Sequence, residues 1–184
     1  MYAYVKGRVT LIKPNYIVIE QGEIGYLILT PNSYHYHLHD EVTCYTHHYV
    51  KEDINALYGF PSLESKELFV RLIGVSGIGP KSALSLLASD QINEIITAIE
   101  LADVKFLTKF PGIGPKSAQQ IILDLKGKLV TDDLELLPTD EADVAQALSA
   151  LGYSKVEIRK VMKKINVDQT VEQMVKEALL LLRK

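Results

Sequence analysis

Three absences frame this 184-residue chain. There is no second cysteine. Cys44 stands alone, so no intramolecular disulfide can form; a lone thiol suits a reducing cytoplasm and reads as a small buried apolar side chain. There is no long hydrophobic run. The stretch Leu179–Leu182 is far too short to span a membrane, and Lys6 and Arg8 interrupt the amino terminus where the apolar centre of a signal peptide would lie. There is also no excess of basic charge. The net charge is −3, with 4 basic and 6 acidic residues over 1–60, 8 and 7 over 61–130, and 8 and 10 over 131–184. A protein that holds nucleic acid through its overall field would be basic, so any basic surface here must be local. Even were nucleic acid a partner, the acidic balance implies that part of the molecule faces something else.

What the chain does contain is one heptapeptide twice. Gly77-Ile78-Gly79-Pro80-Lys81-Ser82-Ala83 returns unchanged as Gly112-Ile113-Gly114-Pro115-Lys116-Ser117-Ala118, an offset of 35 residues. The flanks agree in character: Leu72 answers Leu107, Val75 answers Phe110, and Leu86-Leu87 answers Ile121-Ile122. Identity at a fixed offset is an internal repeat, and two copies make a paired motif rather than a solenoid. Two glycines one residue apart supply a tight turn, and Pro80 and Pro115 fit the first turn of a following helix, where a missing N–H costs nothing. The expected unit is helix, hairpin, helix, with unpaired backbone N–H groups and the positive helix terminus forming an anion site. Lys81 and Lys116 add charge, and Ser82 and Ser117 add a donor. Such a site takes a phosphate, and with no base-reading side chain it positions a nucleic acid backbone without reading sequence.

Two rival readings of the repeat are weaker. Gly74 to Ser82 approaches the phosphate-loop pattern G-x-x-x-x-G-K-[ST], but Pro80 separates Gly79 from Lys81, and the second copy has Lys109 in place of the first glycine. A plain Gly-Pro turn between core helices would suit one copy, yet leaves the Lys and Ser of both unexplained. The pattern is similar to the helix-hairpin-helix motif of DNA-binding proteins, with its apolar, Gly, apolar, Gly spacing and a small residue at Ala83 or Ala118.

Residues 1–62 read as β. Alternation and β-branched or aromatic residues mark Tyr2–Ile12, Tyr16–Glu20, Tyr26–Thr30, Val42–Val50 and Ile54–Phe60, separated by Pro14-Asn15, Gly22, Pro31-Asn32 and Asp40. Five short strands suggest a small closed barrel, which removes exposed edges; an OB-fold is the natural candidate, and an SH3-like barrel fits the composition too. His35, His37 and His39 would share one face if their segment were a strand, and three imidazoles could hold zinc, but no acidic or thiol partner completes the set and loop histidines are the default. His47 and His48 point to opposite faces of a strand and make a poor metal pair. Lys51-Glu52-Asp53 interrupts the last two strands. It reads as a polar hairpin turn, as a weak pair of nuclease carboxylates, or, with DNA close by, as a carboxylate wedge that repels phosphates.

Residues 63–130 read as helical: Leu63–Gly74, Pro80–Ala88, Gln91–Glu100, Val104–Lys109 and Pro115–Val130. Ser62 is placed to start the first, and Ser89 or Asp90 to cap the third. The two hairpins are expected at opposite ends of one unit, related by a pseudo-two-fold. Residues 131–140 combine acidic groups with Pro138 and read as a linker. Residues 141–184 give three short helices, Glu141–Leu151, Lys155–Ile165 and Thr170–Arg183, with Gly152 ending the first, Ser154 capping the second and Asp168 the third. Leu148, Leu151, Val156, Ile158, Val161, Ile165, Val171, Met174, Val175, Ala178, Leu179 and Leu182 supply core faces, and the apolar surplus of this small unit suggests a docking surface, unless all of them are simply core.

Barrel, paired hairpins, acidic linker and three-helix bundle occur in that order. Together with His-His-Tyr-Val-Lys-Glu-Asp-Ile-Asn-Ala-Leu-Tyr-Gly-Phe at 47–60 and Ala-Leu-Gly-Tyr at 150–153, they closely resemble the RuvA family of bacterial proteins, which bind Holliday junctions during branch migration. The resemblance covers essentially the whole chain, with a linker shorter than in many relatives. It implies an OB-fold first domain and a four-fold symmetric homotetramer, or a back-to-back octamer, that holds a four-way DNA junction open and planar. Gly77, Gly79, Lys81, Ser82, Gly112, Gly114, Lys116 and Ser117 would hold phosphates. Glu52 and Asp53 would form an acidic pin at the junction centre. Leu148, Leu151 and Tyr153 would contribute to the surface that docks the RuvB motor ATPase, and the complex would work beside the RuvC resolvase. No catalytic residue, metal or cofactor is implied. Two other classes compete. A helix-hairpin-helix glycosylase or nuclease would need a reactive residue beyond the hairpin, for which Asp124 is the nearest candidate. A docking adaptor would use the hairpins as turns only.

Overall fold

The computed structural model describes residues 1–89, 91–129, 139–153, 155–162, 164–166 and 169–182. The chain forms two compact units, Met1–Asp124 and Leu125–Lys184.

The first unit begins with five strands: β1 (Tyr4–Lys13), β2 (Tyr16–Gln21), β3 (Ile24–Leu29), β4 (Glu41–Lys51) and β5 (Ile54–Phe60). They close in the order β1-β2-β3-β5-β4, with all pairings antiparallel except β3 with β5 at Leu29 and Tyr58. That order and the single parallel contact are those of the OB-fold and resolve the choice against an SH3-like barrel. β1 serves two neighbours: Tyr4–Arg8 pair with β4 and Arg8–Lys13 with β2, and an irregularity between Val9 and Leu11 bends the strand where it changes partner. Alternation drives closure. Val5, Val9, Ile17, Ile19, Ile28 and Cys44 point inward and are buried with Tyr36 and Gly7, while the alternate residues of β1 and β2 face out.

The segment holding His35, His37 and His39 is not a strand. Ser33–His35 form a short 3-10 turn capped by Asn32, and His39 adopts a φ of 74°. The turn drops Tyr36 into the barrel, where its hydroxyl lies 3.6 Å from the Cys44 sulfur. Burial pushes the Cys44 thiol up to about 11, against the lowering effect of that hydroxyl, so the sulfur stays protonated and inert at neutral pH.

Helix α1 (Leu63–Ile73) starts as expected at Ser62, whose hydroxyl accepts the Ser65 amide at 3.2 Å. It lies against the outer face of β4 and β5 through Phe69, whose ring sits 4.9 Å from Phe60, 5.1 Å from Tyr58 and 5.9 Å from His47. Phe60 and Phe69 are fully buried. This aromatic contact makes barrel and helices one unit. Four helices follow: α2 (Pro80–Leu87), α3 (Ile92–Glu100), α4 (Val104–Leu107) and α5 (Pro115–Leu125). Their core includes Leu72, Leu86, Ile95, Ile99, Leu107 and Ile121. Three details differ from expectation. The cap of α3 is Gln91, without a side-chain bond; Ser89 instead donates back to the Leu86 carbonyl at 3.3 Å, and Asp90 lies outside the described residues. α4 is a single turn opened by Asp103, which accepts the Phe106 amide at 3.0 Å. α5 stops at Leu125 rather than running to 130, because Gly127 takes a φ of +77° just past its end.

In the second unit, α6 (Thr139–Ala150), α7 (Lys155–Met162) and α8 (Val171–Leu182) pack around Val144, Leu148, Ile158, Val161, Ile165, Met174 and Ala178. Gly152 ends α6 through a paired bond set: its amide reaches the Ser149 carbonyl at 3.0 Å and the Tyr153 amide reaches Leu148 at 3.2 Å. α8 is opened by Thr170, whose amide donates to the Gln173 side chain at 3.3 Å, half of a capping box. Ser154 and Asp168, expected as caps, lie outside the described residues, as do residues 131–138 of the expected linker; Thr139 and Asp140 already belong to α6.

Two measurements probe the Phe69 contact. Phe69→Ala should cost about 3–5 kcal/mol through the cavity it leaves, read as a lowered Tm. Burial, then the charges of Lys66 and His48, hold the His47 imidazole below its ordinary 6.5. The unfolded chain therefore takes up this proton first, so the stability His47 contributes is complete above pH 6.5 and is lost as pH falls through the folded-state value. Melts at descending pH should show this loss, and His47→Gln should flatten it.

Candidate nucleic-acid interface

The two copies of the repeat fold alike, bond for bond. Gly77 and Gly112 take φ values of +81° and +80°, a region that side chains with a Cβ enter only at a cost. The Ile78 amide donates to Val75 at 3.0 Å, and the Ile113 amide to Phe110 at 3.1 Å. Ala83 reaches back to Gly79 at 3.0 Å, and Ala118 to Gly114 at 2.9 Å. Ile78 and Ile113 are buried and anchor each turn, and Ala83 and Ala118 are fully buried where each second helix meets the core. The middle of each turn is left to solvent. Gly77, Gly79, Gly112, Gly114, Lys81 and Lys116 are all exposed, with Ser82 and Ser117 half-buried. Gly79, the cap of α2, makes no side-chain capping bond, and Pro80 follows it. The early amides of α2 and α5 have no carbonyl within their own helix to bond. Each turn thus offers backbone donors, a helix N-terminus and a lysine to an anion.

The hairpins do not lie at opposite ends of the unit. Ser82 donates its hydroxyl to the Gly112 carbonyl at 3.4 Å, so the first hairpin's helix touches the second hairpin's turn. The chain spacing of 35 residues suggested separation because periodicity carries no information on how α3 and α4 double back. The sides of the two turns also differ. Lys105 and Lys109 stand exposed before the second hairpin, with Lys109 5.3 Å above the Phe106 ring. The first copy has Val70 and Gly74 at those places.

The turn between β4 and β5 carries Glu52 and Asp53 at its tip, both exposed. Lys51 folds back 5.2 Å over the Tyr49 ring and leaves the tip to the carboxylates. Among the described residues no cluster of three metal-binding side chains occurs, and His37 pairs with Asp40 at 3.6 Å. His47 and His48 do diverge: the first meets Phe69, the second bonds Asn55 at 2.7 Å. Asp124 accepts from Gln120 at 3.0 Å on the same helix, a local helical pairing.

In the second unit, Leu148 is fully buried and shapes the core beneath the surface instead of lining it. Leu151 and Tyr153 do reach the surface. With Leu179, Leu180 and Lys176 they line an apolar groove of about 560 Å³. Leu179 was legible in the sequence as a core-face residue, and Leu180 only as part of an apolar run. Among the described residues no helix is long and apolar enough to cross a membrane.

A closed OB-like barrel fused to twin hairpin turns places the chain in the class of tandem helix-hairpin-helix proteins. Residues 69–127 match the model described as a SAM-like helix-hairpin-helix tandem, residues 1–59 that of the RuvA N-terminal domain, and residues 139–183 that of the RuvA C-terminal domain. The chain is 56% identical over 186 residues to the Holliday junction branch migration complex subunit RuvA of Acholeplasma laidlawii, covering 100% of both chains. It is 46% identical over 200 residues to the protein of the same name from Bacillus thuringiensis, covering 99% of this chain and 98% of that one. The chain belongs to the RuvA family.

The glycines can be compared directly. A Cβ at Gly77 would meet nothing within 4 Å, whereas one at Gly112 would come within 3.2 Å of the Ser82 hydroxyl. Both substitutions to Ala carry the backbone cost of positive φ, about 1–2 kcal/mol. Gly112→Ala should therefore weaken DNA binding more than Gly77→Ala in a fluorescence anisotropy titration.

Proposed function

We propose that this chain is the junction-binding subunit of a branch migration complex, holding Holliday junction DNA by its phosphates. The observation that carries the reading is the pair of hairpins, alike in sequence and in backbone geometry and adjoining in space. Two anion sites joined at Ser82 and Gly112 suit the two backbones of one duplex arm. Gly77, Gly79, Lys81 and Ser82 serve one strand; Gly112, Gly114, Lys116 and Ser117 serve the other. Their contacts are made to phosphate and carry no sequence information, which suits a junction that moves through any sequence.

Glu52 and Asp53 act by repulsion. Near the junction centre an exposed carboxylate pair disfavours phosphates in its neighbourhood and steers strands apart into neighbouring arms. A single chain supplies one arm's clamps, so four arms call for a homotetramer, alone or paired back to back. The groove of Leu151, Tyr153, Leu179, Leu180 and Lys176 would take an apolar element of the RuvB motor ATPase, with Leu148 supporting it from below. That assembly works alongside the RuvC resolvase in the cytoplasm, where the buried Cys44 stays a thiol. In this reading the chain positions DNA and the motor supplies the chemistry.

The deciding experiment is a titration of four-way junction against linear duplex of equal length, with the mass of the free protein measured in solution. The junction should bind more tightly, and both affinities should fall steeply with salt as counterions are released, with a log–log slope of about −0.9 per phosphate neutralised. Equal affinity for the two DNAs would refute the reading.

A further inference from the structure

The hairpin tip carries more than its carboxylates. Six consecutive residues, Val50–Asn55, are exposed. Neighbouring residues of a strand point to opposite faces, so exposure of all six means that both faces of the ribbon stand clear of the barrel. Two of the six are β-branched and apolar: Val50 is 61% exposed and Ile54 37%. Register puts them on different faces. Val50 pairs with Asn55, on the face that carries His48, whereas Ile54 pairs with Lys51, on the face that carries Tyr49. The polar partners on each face are already engaged: Asn55 with His48 at 2.7 Å, and Lys51 over Tyr49 at 5.2 Å. What each face offers beside the acidic tip is therefore an apolar side chain.

A single exposed valine or isoleucine is ordinary. Two of them bracketing a carboxylate turn, one per face, form a wedge with a charged edge and greasy sides. The charges decide what can lie against those sides. Glu52 and Asp53 repel the phosphates, so the part of DNA that approaches is its uncharged part, the bases. Apolar side chains of this kind hold bases apart by occupying the space a stacked neighbour would fill.

We propose that Val50 and Ile54 are base-contacting residues: each packs against a nucleobase that has lost its pairing at the crossover, one on either face of the hairpin. Glu52 and Asp53 keep the backbone off the tip, and the apolar pair lowers the cost of the bases left unpaired there. The proposal rests on the junction-binding reading and assigns to this hairpin an attractive role that repulsion alone does not supply.

The test uses the full chain and a four-way junction carrying 2-aminopurine beside the crossover, with a second junction labelled in mid-arm. Val50→Thr and Ile54→Thr keep the branched shape and add a hydroxyl. Wild type should raise the crossover signal and leave the mid-arm signal unchanged. Each variant should lose a substantial part of the rise, and the double variant most of it, roughly a several-fold drop if the stacking surface is the source. A rise of full size in the double variant would overturn the proposal. So would an equal loss of affinity for linear duplex, which would place the effect in the fold, or a change of solution mass, which would place the pair between copies of the chain. If wild type shows no preference for junction over duplex, the junction reading itself fails, and that is seen before any variant is made.

Discussion

Phe69 packs its ring against Phe60 and Tyr58, and the rest of the first unit takes its geometry from that contact. The barrel is a closed sheet with its own core, and the helices have theirs. Phe69 joins the two cores on the outer face of β4 and β5, the same strands that carry Glu52 and Asp53 at their turn. The acidic tip and the hairpin turns are thereby parts of one compact body, and a force on one is transmitted to the other through packed rings instead of a loop. Interiors at crystal-like density transmit strain in this way.

The repeat shows how far identity of sequence reaches. Seven shared residues give two turns with the same φ at the first glycine and the same amide bonds, because those features depend on neighbours within a few residues. Identity ends at the side chains that look outward from each turn. Ser82 meets Gly112, and Lys109 stands before the second turn where the first has Gly74. The two turns are alike in the backbone they expose and unlike in the charge beside them.

Much of this was legible in the chain. Five alternating segments became five strands, Ser62 opened its helix, and the twin glycines marked both turns. The histidine segment alternates, yet its default reading as a loop between strands holds: the chain turns at Ser33–His35 and brings Tyr36 over Cys44. Leu148 reads in the sequence as a core-face leucine, and it is fully buried. The groove beside it was missed as a groove, since Leu179 and Leu180 lie a helix away from Leu151 and Tyr153 in sequence and converge only in the fold.

Local matters lay in the sequence: where strands alternate, where Ser62 opens the first helix, that two turns are identical, and that Glu52 and Asp53 sit at a hairpin tip. These follow from backbone preferences and short-range periodicity, which act over a few residues. Tertiary structure alone decided that the two hairpins adjoin, that a parallel pairing of Leu29 with Tyr58 closes an OB-like barrel, and that Val50 and Ile54 face opposite ways in solvent. Those depend on register and on packing between residues far apart in the chain, and no local rule contains them.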